Sequence, residues 1–460
     1  MGDTAVANGA QAFSLGANTN SNGAQSFALG SSTTAGGDQS FAMGLSTVTS
    51  GTASFAMGSG TEADGDESFA LGLNTLAIGT ASVAMGSGSE SNGDAALAAG
   101  TTTWANGTNS LAVGLSTAAK GDQSVAFGSS TTAVGDQSVA LGTSTVANGV
   151  NSLAMGASST TATTAVNSVA MGDTATATGA QSFSLGNNTN SVGTESFALG
   201  SGTTSGGARS FALGESTTTD TAATHSIAGG IDSATFAPYS FAMGAGAQTL
   251  AGADYSASIG TGTATGGAGS LAVGTQATTG GANAVSMGLQ TTATAPESFA
   301  LGSGTTTLGQ ASLAFGTGSN TTATAANSVA MGLHAEADGP QSFSMGTNTL
   351  ASGSESFSLG FNTVAGGIRS FALGEGTSTD DAASHSIAAG QSSSTFAQSS
   401  LALGTGATVV GGGDYSASIG FGTSAGGVAS LAVGSQTTTL GDQSVALGLK
   451  TTANGDQSFA

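Results

Sequence analysis

The sequence predicts an all-β protein, a parallel β-solenoid of short coils. Three observations carry that prediction. The pentapeptide Ser-(Phe/Val/Leu)-Ala-(Leu/Met/Val)-Gly runs from Ser26-Phe27-Ala28-Leu29-Gly30 to Ser444-Val445-Ala446-Leu447-Gly448, at steps of 14 residues with a few of 16. Large and small residues alternate within it, a period of 2 that suits a strand and not a helix. Glycine, at 77 of 460 residues, is too frequent for helices. A short fixed period decides the architecture before any other feature is weighed. It also leaves little room for a unique catalytic site.

One period runs from Gly121 to Val134, and Gly135 restarts it. Two glycine positions divide it. One half, Ser124-Val125-Ala126-Phe127, is the apolar strand. The other is rich in Ser, Thr and Ala. Each half suits a strand of about five residues, and the glycines suit tight turns with positive φ. Two strands and two turns make a coil, and stacked coils pair about 4.8 Å apart, so about thirty of them form a rod on the order of 150 Å long. The 16-residue coils, such as the one ending Ser226-Ile227-Ala228-Gly229-Gly230, carry two extra residues that are expected to bulge at a turn and leave the ladder intact. Thr221–His225 and Asp380–His385 are then the expected places of surface variation.

Side-chain size decides what faces inward. Sheets packed through large side chains sit about 10 Å apart, whereas a two-residue turn spans only about 7 Å. Ser124 and Ala126 therefore point into the coil, and Val125 and Phe127 point out. The result is an apolar stripe along one outer face. Its residues include Phe27, Leu29, Phe41, Met43, Val125, Phe127, Val169, Met171, Phe211, Leu213, Phe371 and Leu373. Burying one such side chain contributes about 1.5–3 kcal/mol, and dozens left exposed would aggregate. Identical chains packed stripe to stripe about a common axis resolve this by closed symmetry.

Composition narrows the partners. The net charge of −22, with only Lys120, Arg209, Arg369 and Lys450 as cations, excludes nucleic acid, which needs a basic surface. It also disfavours anionic lipid. No apolar run approaches the length of a membrane span, so this segment is not expected to insert in a membrane. There is no cysteine, hence no disulfide and no thiolate metal site. No carboxylate pair, Ser-His-Asp set or phosphate loop stands out. No catalytic residue, cofactor or metal is expected, and the three histidines are too dispersed for a metal site. Met1-Gly2 has the form of a motif end and Ser458-Phe459-Ala460 of a motif start, so the expectation is one continuous roll over 1–460, a section of a longer fibre.

Asn167-Ser168-Val169-Ala170-Met171-Gly172, Asn327-Ser328-Val329-Ala330-Met331-Gly332 and Asn151-Ser152-Leu153-Ala154-Met155-Gly156 resemble the head repeats of trimeric autotransporter adhesins, the YadA-like head family. The resemblance covers essentially the whole chain. It implies a left-handed parallel β-roll assembled as a homotrimeric rod, exposed at the cell surface. Phenylalanine is frequent where that family prefers valine, which implies a wider axis. No stalk, neck or anchor segment is present in the sequence.

A longer order sits above the coil. Arg209-Ser210-Phe211-Ala212-Leu213-Gly214-Glu215 returns as Arg369-Ser370-Phe371-Ala372-Leu373-Gly374-Glu375, and Asp254-Tyr255-Ser256-Ala257-Ser258-Ile259-Gly260 as Asp414-Tyr415-Ser416-Ala417-Ser418-Ile419-Gly420. The pattern is a block duplication of 172–331 and 332–460. The residue before each motif serine forms a column, with Gln25, Gln39, Gln123, Gln137, Asn151 and Asn167 suited to an amide ladder. In the duplicated block the column becomes Glu195, Arg209, His225, Tyr239 and then Glu355, Arg369, His385. Glu and Arg on adjacent coils are expected to pair, and these seven residues are the candidate surface for a receptor or glycan.

Three functions fit. The first is the head or shaft of a surface adhesin that attaches by passive multivalent contacts. The second is a structural filament or phage fibre, on a cell or virion surface, whose binding tip lies elsewhere. The third is an ice-binding solenoid that uses the column Thr33, Thr47, Thr61, Thr75, Thr117 and Thr131. The neighbours of that column, such as Ser31, Leu45, Ser59 and Leu73, vary too much for a flat ice template.

Overall fold

Alternation extends each motif into a five-residue strand such as Phe27–Ser31, followed after a corner by a two-residue strand such as Thr34–Ala35. The computed structural model describes residues 3–460. Met1 and Gly2, the expected motif end, lie outside the described residues. Within each unit strands pair in parallel with their counterparts one coil on, like residue on like: Phe27↔Phe41, Ala28↔Ala42, Leu29↔Met43, Gly30↔Gly44, and Thr34↔Val48, Ala35↔Thr49. No helix occurs among the described residues.

The chain divides into two units, Met1–Asp232 and Ser233–Ala460. In the first, sixteen five-residue strands run from Phe13–Ala17 to Ile227–Ile231, and sixteen two-residue strands from Val6–Ala7 to Thr218–Thr219. In the second, fifteen longer strands run from Phe241–Ala245 to Val445–Leu449, and sixteen short ones from Ala234–Thr235 to Thr452–Ala453. Each unit is a parallel β-solenoid, as the period requires.

Two details differ from expectation. The Ser/Thr half of the coil forms a strand of two residues, not five, because both its flanks are consumed by corners. The glycines also do not, in general, make the turns. The left-handed positions are held mostly by other residues, two per coil, such as Gln25 (φ 59) and Ser32 (φ 56). That conformation is costly for a residue with a Cβ, and hydrogen bonding explains why it persists. Strand amides donate forward, as Phe27 N to Ser40 O at 2.9 Å, whereas the left-handed residues donate backward, as Gln25 N to Ala10 O at 2.7 Å and Ser32 N to Ala17 O at 2.8 Å. Corner amides such as these thus keep a partner in the preceding coil.

The motif glycine serves a different purpose. Gly30 lies inside the strand at φ 135, and a Cβ there would stand 1.9 Å from the Gly44 carbonyl oxygen. It permits close approach of adjacent coils.

The interior is thin and hydroxyl-lined. Ser26 is 1% exposed, and Ala28, Thr33 and Ala35 are fully buried. Where the alanine position holds serine, its hydroxyl spans the coil: Ser184 Oγ donates to Thr189 Oγ1 at 2.9 Å, and Ser344 Oγ to Thr349 Oγ1 at 2.8 Å. Only small residues fit a gap bridged by one hydroxyl pair. The largest fully buried side chain among the described residues is Val409. Its extra volume is met by Gly413, where a Cβ would come within 3.0 Å of Val409 Cγ1. Other 16-residue coils carry buried alanine there, as Ala165, Ala223 and Ala383.

The two extra residues of those coils sit at the corner and leave the register unbroken, as Leu153↔Val169 and Phe371↔Ile387. In two of them an Asx-turn organises the bulge: Asp220 Oδ1 accepts from Ala222 N at 2.9 Å and Asp380 Oδ1 from Ala382 N at 3.0 Å.

Candidate functional site

The thin coil forces every large motif side chain outward, and the structure places all twelve residues of the anticipated stripe there. Phe27, Leu29, Phe41, Met43, Val125, Val169, Met171 and Phe371 are partly exposed, and Phe127, Phe211, Leu213 and Leu373 are exposed. Parallel, in-register stacking turns the phenylalanines into ring ladders. Phe13, Phe27, Phe41, Phe55 and Phe69 follow one another at 4.8, 4.8, 4.8 and 4.9 Å. Phe343, Phe357 and Phe371 do so at 4.8 and 4.5 Å in the second unit.

The stripe has a third column. The residue after the motif glycine also faces out, and Leu45 (53%), Leu115 (52%) and Phe421 (58%) are among the most exposed apolar residues. Sequence reasoning treated this position as a neighbour of the threonine column. The left-handed residue between them, Ser46 for Leu45, reverses the alternation, so Leu45 points out and Thr47 points in. The recurrence of leucine directly after the motif glycine was the available signal. On the same face Phe315, Met331, Leu333 and Met345 line an open apolar hollow.

The threonine column considered for ice is inside the coil. Thr33, Thr47, Thr61, Thr117 and Thr131 are fully buried and Thr75 is 1% exposed, which removes the surface that reading would use.

The column before each motif serine occupies the left-handed corner position, and its side chains project into solvent. The amide ladder forms: Gln25 Nε2 donates to Gln11 Oε1 at 3.1 Å, and Gln137 Nε2 to Gln123 Oε1 at 3.1 Å. In the first unit Arg209 grips Glu195 with two bonds, Nε to Oε2 at 2.9 Å and Nη2 to Oε1 at 3.4 Å. His225 Nε2 lies 3.5 Å from Arg209 Nη1. Thr194, Ala208 and Thr224 complete a shallow groove around these three. The hydrogen bond from Arg209, and then its charge, hold the Glu195 carboxyl below its ordinary value. In the second unit Arg369 binds Glu355 likewise, at 2.9 and 3.2 Å, with the same direction of shift on Glu355 from that hydrogen bond. His385 follows on the next coil, and Tyr239 stacks on Tyr255 with ring centres 4.9 Å apart.

A neighbouring column was missed. Asp38, Asp66, Asp94 and Asp122 each turn a carboxylate back onto the corner amide of the preceding coil, at 2.7, 2.7, 2.8 and 2.8 Å. Part of the acidity is therefore structural. The recurring Gly-Asp pair carried that signal.

The family model of the YadA head domain repeat (two copies) matches the chain sixteen times, at 21–47, 50–75, 91–117, 105–131, 119–145, 133–159, 147–163, 164–189, 191–215, 266–291, 280–305, 293–319, 308–333, 323–349, 351–377 and 440–460. The chain belongs to the YadA head repeat family. No curated protein matches it. The family is one of structural, adhesin-like surface proteins. The matches leave out 216–265 and 378–439, the stretches that hold His225, Tyr239 and Tyr255, and His385 and Tyr415.

Proposed function

We propose that this chain is the head or shaft of a trimeric adhesin, a left-handed roll whose three copies pack their apolar stripes around a common axis. The carrying observation is the outer face itself: three outward columns, with ring ladders, on a coil whose interior holds nothing larger than valine. A face of that extent rimmed by polar corners marks an interaction surface, and parallel copies of the same chain match it column for column. The fibre stands outside the cell, tethered through segments other than these repeats. Attachment is passive and multivalent, through the corner columns that the stripe leaves in solvent. Glu195, Arg209, His225 and Tyr239, with Glu355, Arg369 and His385, are the proposed receptor-facing residues. The test is the native mass in solution by light scattering. The expected value is three times the 43.0 kDa chain mass; a particle of one chain mass refutes the assembly.

A further inference from the structure

The second sheet carries an outward column of its own, on the side of the coil away from the apolar stripe. Its occupants are mostly Thr, Val, Ser or Glu, but at one coil it presents Trp104, the sole tryptophan of the chain. Trp104 is partly exposed. It pairs with Glu90 on one side and Ala118 on the other.

The residues two positions on, in the same three coils, are Asn92, Asn106 and Lys120. Asn92 Nδ2 donates to Glu90 Oε1 at 2.7 Å and to Asn106 Oδ1 at 3.1 Å. These bonds fix both amides beside the indole. The Asn106 Nδ2 has no protein partner among the described residues, and Lys120 is exposed and makes no ion pair among them. Three adjacent coils thus present, at the same two positions, one flat apolar ring, an oriented amide donor, an ammonium and a carboxylate.

We infer that this patch is a glycan site in which a pyranose ring stacks its C–H face on Trp104. Its hydroxyls then bond to Asn106, Lys120 and Glu90. The chemistry favours that class over the others. A sugar offers an apolar face and hydroxyls that both donate and accept, which mixed amide, ammonium and carboxylate groups satisfy. An indole supplies a large amphipathic contact at low conformational cost. A protein partner would need about 800 Å² per side, and a single aromatic among polar neighbours does not supply an apolar core for it. Nucleic acid is excluded by the charge of −22. The patch is separate from the Glu195–Arg209–His225 groove, so loss of either leaves the other intact.

The test uses the whole chain on an array of neutral hexose-, N-acetylhexosamine- and sialic-acid-terminated oligosaccharides, followed by titration of the bound sugars against intrinsic fluorescence. Because Trp104 is the only tryptophan, its emission reports on this patch alone. The expected result is a saturable emission change, with array binding reduced about tenfold or more in Trp104→Thr, as for removal of a central aromatic anchor. Threonine already occupies the column at Thr132 and Thr160, so the variant is built to fold. Asn106→Ala is expected to weaken binding several-fold while the emission change persists. Absence of binding to every sugar, or undiminished binding by Trp104→Thr, overturns the inference. A trimer that binds no sugar overturns it alone and leaves the assembly standing.

Discussion

Replacing Gly44 by alanine tests the packing of coils most directly. The new Cβ would stand 1.9 Å from the Gly58 carbonyl oxygen, whereas real contacts of this kind lie beyond 3.0 Å. The coils must part by about 1 Å, on a stack whose ring spacing is 4.8 Å at Phe41–Phe55. Bonds such as Phe41 N to Ser54 O at 2.9 Å and Val48 N to Thr61 O at 2.9 Å would then stretch beyond bonding range. Five such bonds outside the strand ladder join these two coils, at Phe41, Val48, Ser50, Ala53 and Gly60. At about 0.5–1.5 kcal/mol each they amount to roughly 3–7 kcal/mol, in addition to about 1–3 kcal/mol for a Cβ at that φ. The matched control is Gly88→Asn. Gly88 has φ 63, and a Cβ there meets nothing within 4 Å. The equivalent position one coil earlier is Asn74 at φ 52, so the control is expected to stay within about 0.5 kcal/mol of the parent. Contacts in a solenoid are local, so damage from Gly44→Ala should also be local. Limited proteolysis mapped by mass spectrometry should show new cleavage near residues 36–60, with a lowered melting temperature. Equal protease resistance and melting of the two variants would refute the close-approach account.

Three further outcomes are expected. The chain has no cysteine, so Phe41→Cys should give covalently linked chains on mild oxidation, whereas Thr132→Cys, on the opposite sheet, should stay single on a denaturing gel; the reverse pattern would place the interface elsewhere. Glu195 should titrate below 4.5 by carboxyl NMR and return towards that value in Arg209→Gln. Its folded pKa is depressed, so its contribution to stability is present above the unfolded pKa and disappears as pH falls through the folded one; an unchanged titration in the variant would sink the pairing. Asp122→Ala should expose the Thr108 amide, bonded to Asp122 Oδ1 at 2.8 Å, and lose about 1 kcal/mol, seen as faster hydrogen exchange at Thr108; exchange as slow as in the parent would show that the cap is not needed.

The fold class, the period and the inward Ser and Ala were legible because a fixed repeat leaves the thickness of the coil as the one free choice, and side-chain size settles it. The corner column was legible for a similar reason, since in-register stacking puts Arg209 next to Glu195 whatever the turn looks like. Turn chemistry was not. Left-handed Gln25 and Ser32 carry no glycine to announce them, and they persist because their amides bond backward to the preceding coil. Missing that reversal also hid the third apolar column, because it put Leu45 and Thr47 on one face when the first is exposed and the second buried. The serine of the motif was read as merely small. In the structure Ser54 Oγ donates to Gly51 O at 2.7 Å, so in such coils the hydroxyl also ties down the corner.

An interior of Ala, Ser and Thr has a calorimetric consequence. The heat-capacity increment of unfolding rises with apolar surface newly exposed and falls with polar surface, averaging about 12–15 cal/mol/K per residue in ordinary domains. A lone coil stack hides little of the first kind, because its phenylalanines and leucines already meet water. Its increment per residue should fall below that range, with a shallow dependence of stability on temperature. Covering the stripe restores the missing apolar term. The curvature of the stability curve therefore reports whether the outer face of the fibre is dry.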